Sequence, residues 1–312
     1  MNNKKRKRWP RDEVLYNKIQ ENEFQNFFEF VRYLTNKVCS NKKMKNYISC
    51  LIIWHKFPNL SARRAKSFLK FLREFKIINA DIPCFKTLCN YRENSLTHNV
   101  LDELITESSK PLSVIEHDFA IDSTGIKTKL FSSWFSLRAK KRIKRRDHLT
   151  VHISTGVKSG IVTALNVEAE QGKDNIIFRK QVDKTHENFD VNEWSGDATY
   201  WSKENCRKID EIGGKPFFKS KIGWWNGKQS GVPAWKEMNF FARENPEEYK
   251  IHYKKRSKVE AVNHSKKAIH GDKVYSKLKS ARENEEGFRW INHNINVLNR
   301  AMHQWKINPL GD

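Results

Sequence analysis

The chain has 312 residues, 38% of them apolar and 12% aromatic, enough to build packed cores for two domains of ordinary size. Lysine and arginine exceed aspartate and glutamate by 59 − 36 = 23, which points to a polyanionic partner, nucleic acid ahead of an anionic membrane. The same composition argues against a membrane span and a disulfide framework. The longest apolar run, Tyr47 to Trp54, is too short for a bilayer, and the five cysteines include no C-x2-C pair. Cys84 and Cys89 lack a second ligand pair for zinc, so the cysteines read as reduced, mostly buried thiols. The basic opening, Lys4 to Arg8, runs into Trp9 and Pro10 rather than an apolar signal segment. A cytoplasmic protein without a membrane partner is expected.

In chain order, apolar residues at mixed three- and four-residue steps predict a helix over 12–38. A second helix follows over about 45–56. Ser61 can cap a third over 62–75, with Arg63, Arg64, Lys66, Lys70 and Arg73 opposite an apolar face. Pro83 opens another from Cys84 to Glu93. These basic helices fit either a helix-turn-helix that docks in a major groove or a small bundle with ordinary surface charge.

The period changes at residue 113. A β-prone run from Ser113 ends in Asp122-Ser-Thr-Gly125, and further strands are predicted at 149–155 and 161–168. A helix over 174–184, a strand from Val191 to Gly196, a helix over 201–212 and a strand from Lys215 to Ser220 complete a β-β-β-α-β-α-β order. Residues 221–250 read as an insertion, followed by helices over about 247–271 and 275–306. The division is an all-helical domain at 1–112 and an α/β domain at 113–312.

Asp122 and Asp197 are both predicted at C-terminal ends of strands, the edge where open α/β sheets gather ligands. Either alone reads most simply as a turn residue. On a single helix, Tyr253, Arg256, Glu260 and Lys267 share one face at steps of 3, 4 and 7 residues. Such a face suits a metal ion beside a phosphate backbone, or else solvent. Asp118 and Asp174 are spare carboxylates. His117, His148 and His152 read as structural, and Trp194 and Trp201 as core. Arg138, Lys140, Lys141, Arg142, Lys144, Arg145 and Arg146 crowd seven cations into nine residues, for phosphate neutralisation or as a solvated loop. Trp224 and Trp225 are candidates for stacking on an unpaired base, against burial beneath the insertion.

The spacing Y-x2-R-x3-E-x6-K, met by Tyr253, Arg256, Glu260 and Lys267, resembles the signature of the insertion-sequence DDE transposases of bacteria and archaea. Phe119-Ala-Ile-Asp122-Ser-Thr124 and Gly196-Asp197-Ala-Thr-Tyr200 are similar to the segments carrying that family's two aspartates. Asn59 to Arg64 and Ile82 to Leu88 are similar to a region that binds the element's ends. The resemblance implies a ribonuclease H-like mixed sheet behind an all-helical, DNA-end-binding N-terminal domain. It also implies that Asp122, Asp197 and Glu260 hold two Mg2+ ions, with Mn2+ as a substitute, and that no small-molecule cofactor takes part. Tyr253, Arg256 and Lys267 would then grip DNA phosphates, with Arg63, Arg64 and the 138–146 run as further contacts. The implied partners are double-stranded DNA, as element ends and as target, and a second copy of the chain, because two ends are cut together. A prokaryotic, nucleoid-associated location follows. The segment between Asp197 and Glu260 is too short for the large β-rich insertion of some relatives, so a hairpin on the cut end is not assumed. The alternatives are a non-catalytic DNA-binding regulator and a ribonuclease H-like, metal-dependent nuclease without strand transfer.

Overall fold

The computed structural model of the chain describes residues 12–58, 60–128, 148–168, 174–219 and 231–310. Six helices come first: α1 (Glu13–Glu21), α2 (Glu23–Val38), α3 (Lys42–Lys56), α4 (Ala62–Glu74), α5 (Phe85–Glu93) and α6 (Ser95–Ser109). The single helix expected over 12–38 is interrupted at Asn22, whose backbone leaves the helical region. Ser61 caps α4 as expected, through a hydrogen bond from the Arg64 amide, and Cys84 takes that place on α5. Ten residues, 75–84, separate α4 from α5, against the three or four of a helix-turn-helix. The apolar run in α3 is buried from Ile48 through Trp54, except at Ser49, which fits a helix surrounded by other elements.

The α/β part is mixed. Strands β1 (Asp118–Thr128), β2 (His148–Gly156), β3 (Val162–Glu168), β4 (Glu193–Gly196) and β5 (Lys215–Phe218) form an open sheet in the order β3-β2-β1-β4-β5, and a short β6 (Lys273–Val274) adds to β1. β2 is antiparallel to both β1 and β3, whereas β4 and β5 run parallel to β1. Between and after the strands lie α7 (Asp174–His186), α8 (Lys203–Glu211), α9 (Pro233–Glu244), α10 (Pro246–Lys254), α11 (Ser257–His270) and α12 (Lys279–Gln304). Among the described residues no helix is long and apolar enough to cross a membrane.

Strand alternation divides the apolar residues between two cores. Ala120, Ile126, Val151 and Ile153 face a core that also takes in Val259 and Val262 of α11, the apolar side of α12 and the N-terminal helices, so those helices and one sheet face share a single core. Phe119, Ile121, Trp194, Phe217 and Phe218 face a second core beneath α7, α8, α9 and α10. The central rod is α12, and its buried asparagines bond to neighbouring backbones. Asn294 donates to the Val162 carbonyl and accepts from the Val162 amide, and Asn292 donates to the Ile52 carbonyl.

Three departures from the sequence reading bear on the site. First, β1 does not end at Asp122. Pairing with β2 holds it extended through Lys127, so Asp122 lies inside the strand. Second, the helix expected over 247–271 is two helices. Lys255 and Arg256 form a joint tightened to i→i+3 bonds, with Arg256 N–H donating to the Tyr253 carbonyl and Val259 N–H to that of Arg256. Tyr253 therefore belongs to α10 while Glu260 and Lys267 belong to α11, and the stripe of four is not carried by one helix. Third, the insertion expected at 221–250 contains α9 and the start of α10.

Candidate active site

The site begins with a fork in the sheet. β1 pairs with β4 only through Asp118, Phe119 and Ala120, and with β6 only through Lys127 and Thr128. Between those pairings that edge of β1 has no strand partner among the described residues, and Asp122 and Thr124 face the side that α11 covers. Across the fork, β4 ends at Gly196. A Cβ there would meet the Phe218 ring at 3.0 Å and the Ile121 side chain at 3.1 Å, so glycine leaves room for both at the strand end that carries Asp197. The Asp197 carboxylate accepts the Thr199 N–H at 2.8 Å, which fixes it in a tight Asx turn.

α11 closes the third side. Its buried residues are Val259, Val262, Asn263, Lys266 and His270; of these Asn263 reaches the fork, together with Glu260 and Lys267. Asn263 Nδ2 lies 3.5 Å from Asp122 Oδ2, and Lys267 Nζ donates to Thr124 Oγ1 at 2.5 Å. Arg256, at the joint, stands between two carboxylates: Nη2 is 2.5 Å from Glu260 Oε1 and Nη1 is 3.8 Å from Asp122 Oδ1. Its guanidinium lies over the Tyr253 ring at 6.0 Å. Asp122 and Arg256 are largely covered, at 19% and 21% side-chain exposure, whereas Glu260 is open at 51%.

Burial lifts the Asp122 carboxyl above the ordinary carboxylate range, and the negative charges of Asp197 and Glu260 add to the rise. Arg256 and the Ser123 N–H pull against it. Asp197 and Glu260 are thus close enough to act on Asp122. As placed, no group of three His, Cys, Asp or Glu side chains among the described residues converges closely enough to hold a metal ion; Arg256 separates two of the carboxylates instead. The donor chemistry does fit a hard divalent cation, which takes carboxylate oxygens and water.

The far face of the fork carries a network that sequence reasoning missed. Tyr200 is buried, hydrogen-bonds with Ser123 next to Asp122, and lies 3.4 Å from His152 Nδ1, whose Nε2 is 3.5 Å from Asp174. Burial and the charges of Asp174, Asp122 and Asp197 hold the phenol protonated. The clue lay in β1–β2 register, which sets His152 opposite Ser123, but register is not visible in one strand alone. His152 is buried between Tyr200 and Asp174, so of the two spare carboxylates Asp174 belongs to this network. Asp118 is elsewhere, at the closed end of β1, where Lys255 Nζ bridges it at 2.7 Å to Glu193 at 2.6 Å.

Arg63 and Arg64 lie exposed on α4, with Arg63 over the Phe85 ring at 4.5 Å. Arg138, Lys140, Lys141, Arg142, Lys144, Arg145, Arg146, Trp224 and Trp225 fall outside the described residues. All five cysteines are free; Cys39, Cys50 and Cys206 are buried, but Cys84 is exposed. No family model matches the chain, and a search of curated proteins found no match.

Proposed function

We propose that the chain is a DDE transposase of the insertion-sequence type, with a ribonuclease H-like catalytic core that cuts the ends of its element and joins the freed 3′-hydroxyl to target DNA. One observation carries this reading: Asp122 and Asp197 stand on either side of a fork between parallel strands, with Glu260 over the opening and Arg256 and Lys267 beside it. The strand order β3-β2-β1-β4-β5, with β2 antiparallel, supports the same fold. The positive excess of 23 supports a DNA partner. A homodimer belongs to the proposal, since two element ends have to be processed together.

In this reading Asp122, Asp197 and Glu260 would hold two Mg2+ ions, which would supply activation of the nucleophile and charge stabilisation at the leaving oxygen. The remaining work is done by the chain's own groups. Tyr253 O–H, Arg256 and Lys267 bind phosphate oxygens flanking the scissile bond, and arginine's planar fork suits two oxygens at once. Asn263 and the Asp197 turn hold the aspartate oxygens in place. Hydrolysis forms a bond from water oxygen to phosphorus and breaks the P–O3′ bond, leaving a 3′-hydroxyl and a 5′-phosphate. Strand transfer repeats the displacement with that hydroxyl as nucleophile on a target phosphate, so no covalent enzyme intermediate is required.

The test is Glu260→Gln, assayed for end binding and for cleavage of a duplex carrying the element's terminus. Binding is expected to persist while Mg2+-dependent cleavage falls to background. Normal cleavage by the variant would refute the assignment. Cleavage without joining by the wild type would favour a nuclease, and binding without cleavage a regulator.

A further inference from the structure

We propose that Arg256 is the resting counter-ion of the carboxylate cluster and that a DNA phosphate draws it away, so that DNA and the divalent cation bind cooperatively; the inference rests on the two-metal reading above. The geometry is that of a shared cation. The guanidinium reaches Glu260 through one terminal nitrogen and Asp122 through the other, occupying ground that those carboxylates would need in order to meet around a metal ion. The same planar set of donors is the group best suited to a phosphate, and it cannot make full use of both anions at once.

Its position permits the exchange. Arg256 sits at the two-residue joint between α10 and α11, outside the regular i→i+4 ladder of either helix. About a fifth of the side chain, 21%, is open to solvent, and the Tyr253 ring beneath it supplies a surface along which the guanidinium can shift while remaining supported. Lys267 is bonded to the Thr124 hydroxyl and not to Asp122 or Glu260, so Arg256 is the cation whose departure changes the balance at those two carboxylates. When a phosphate takes the guanidinium, the partly buried Asp122 and the exposed Glu260 lose their compensation, and a divalent cation is the natural replacement. Linkage then works both ways: whatever factor DNA adds to cation affinity, the cation adds to DNA affinity.

The experiment measures free Mn2+ by electron paramagnetic resonance, with and without saturating random-sequence duplex. It compares the wild type with Arg256→Gln and with Lys254→Gln, which removes an exposed positive charge two residues away. Duplex is expected to tighten Mn2+ binding to the wild type about tenfold, within the usual range of coupling between sites. Arg256→Gln should bind Mn2+ without DNA about as tightly as the wild type does with it, and should gain little from duplex. Lys254→Gln should behave as wild type. The inference is overturned if Arg256→Gln keeps the wild-type dependence on duplex, or if Lys254→Gln matches Arg256→Gln. Absence of Mn2+ binding to the wild type in both conditions would instead overturn the two-metal reading itself.

Discussion

On one side of α11, Lys266 reaches Glu286 of α12 with both side chains at 0% exposure, and Arg289 closes the group by meeting Glu286 at 3.5 Å and Glu285 at 2.7 Å. On the other side, Arg256 is shared between Asp122 and Glu260 at the mouth of the fork. The buried group is balanced, two cations against two carboxylates, and Glu285 also accepts from Ser276 Oγ and from the backbone N–H groups of Tyr275 and Ser276. The open group sets Arg256 among Asp122, Glu260 and the nearby Asp197. One helix therefore carries a charge-balanced, fully buried ion network on its inner face and a partly exposed one, with more carboxylates than Arg256 can match, on its outer face. Balanced buried networks tie elements together; an open cluster with excess charge is where a ligand's charge belongs.

The largest effect expected from breaking this contrast is at Lys266. Lys266→Ala leaves Glu286 buried with Arg289 as its remaining charge partner, and should cost about 3–5 kcal/mol by denaturant unfolding. Lys266→Met with Glu286→Leu should recover most of that loss, because a buried pair replaced as a unit leaves no uncompensated charge. Loss of under 1 kcal/mol for Lys266→Ala alone, on the order of an exposed pair, would show that the inner network is not sealed.

Acid should test the same interior next. Burial, reinforced by neighbouring cations, pushes His270 down from 6.5 to about 2; burial does the same to His55, to about 3, and to His293, to about 4. Because their folded values are depressed, these histidines favour the folded state fully above 6.5, and that contribution is lost as pH falls below 6.5 towards the folded values. Each should remove up to about 1.4 kcal/mol per pH unit in that window. Unfolding measured at pH 7 and pH 5 checks the slope, and His293→Gln should flatten it by one histidine's share.

The smallest effect is expected at Asp118, the spare carboxylate of β1. Its partner Lys255 is partly exposed and is also held by Glu193, so Asp118→Asn should cost about 0.2–1 kcal/mol and leave cleavage unchanged.

The outer network was legible in part. Asp122, Asp197 and Glu260 could be named because a turn-like acidic segment, a glycine-aspartate strand end and a spaced Y-R-E-K stripe are local patterns. The succession of strands and helices along the chain followed from periodicity, since Val151 and Ile153 alternate with Thr150, His152 and Ser154. What could not be read was long-range. Asn263 meets Asp122 across 141 positions and Lys267 meets Thr124 across 143, and no local pattern encodes either contact. The break at Lys255 and Arg256 also escaped, because good helix formers flank it and tertiary contacts decide where a helix yields. α6 was not singled out, its apolar residues being diluted by threonine and serine over 95–109. The continuation of β1 past Gly125 was hidden by a turn-like sequence that pairing with β2 overrides.

The central claim is that Asp122 belongs to a divalent-cation site that Asp118, four residues earlier on the same strand, does not share. It is tested most directly by Mn2+ binding to duplex-saturated wild type, Asp122→Asn and Asp118→Asn. Asp122→Asn is expected to lose Mn2+ binding and Asp118→Asn to retain it; equal binding by the wild type and Asp122→Asn would contradict the assignment.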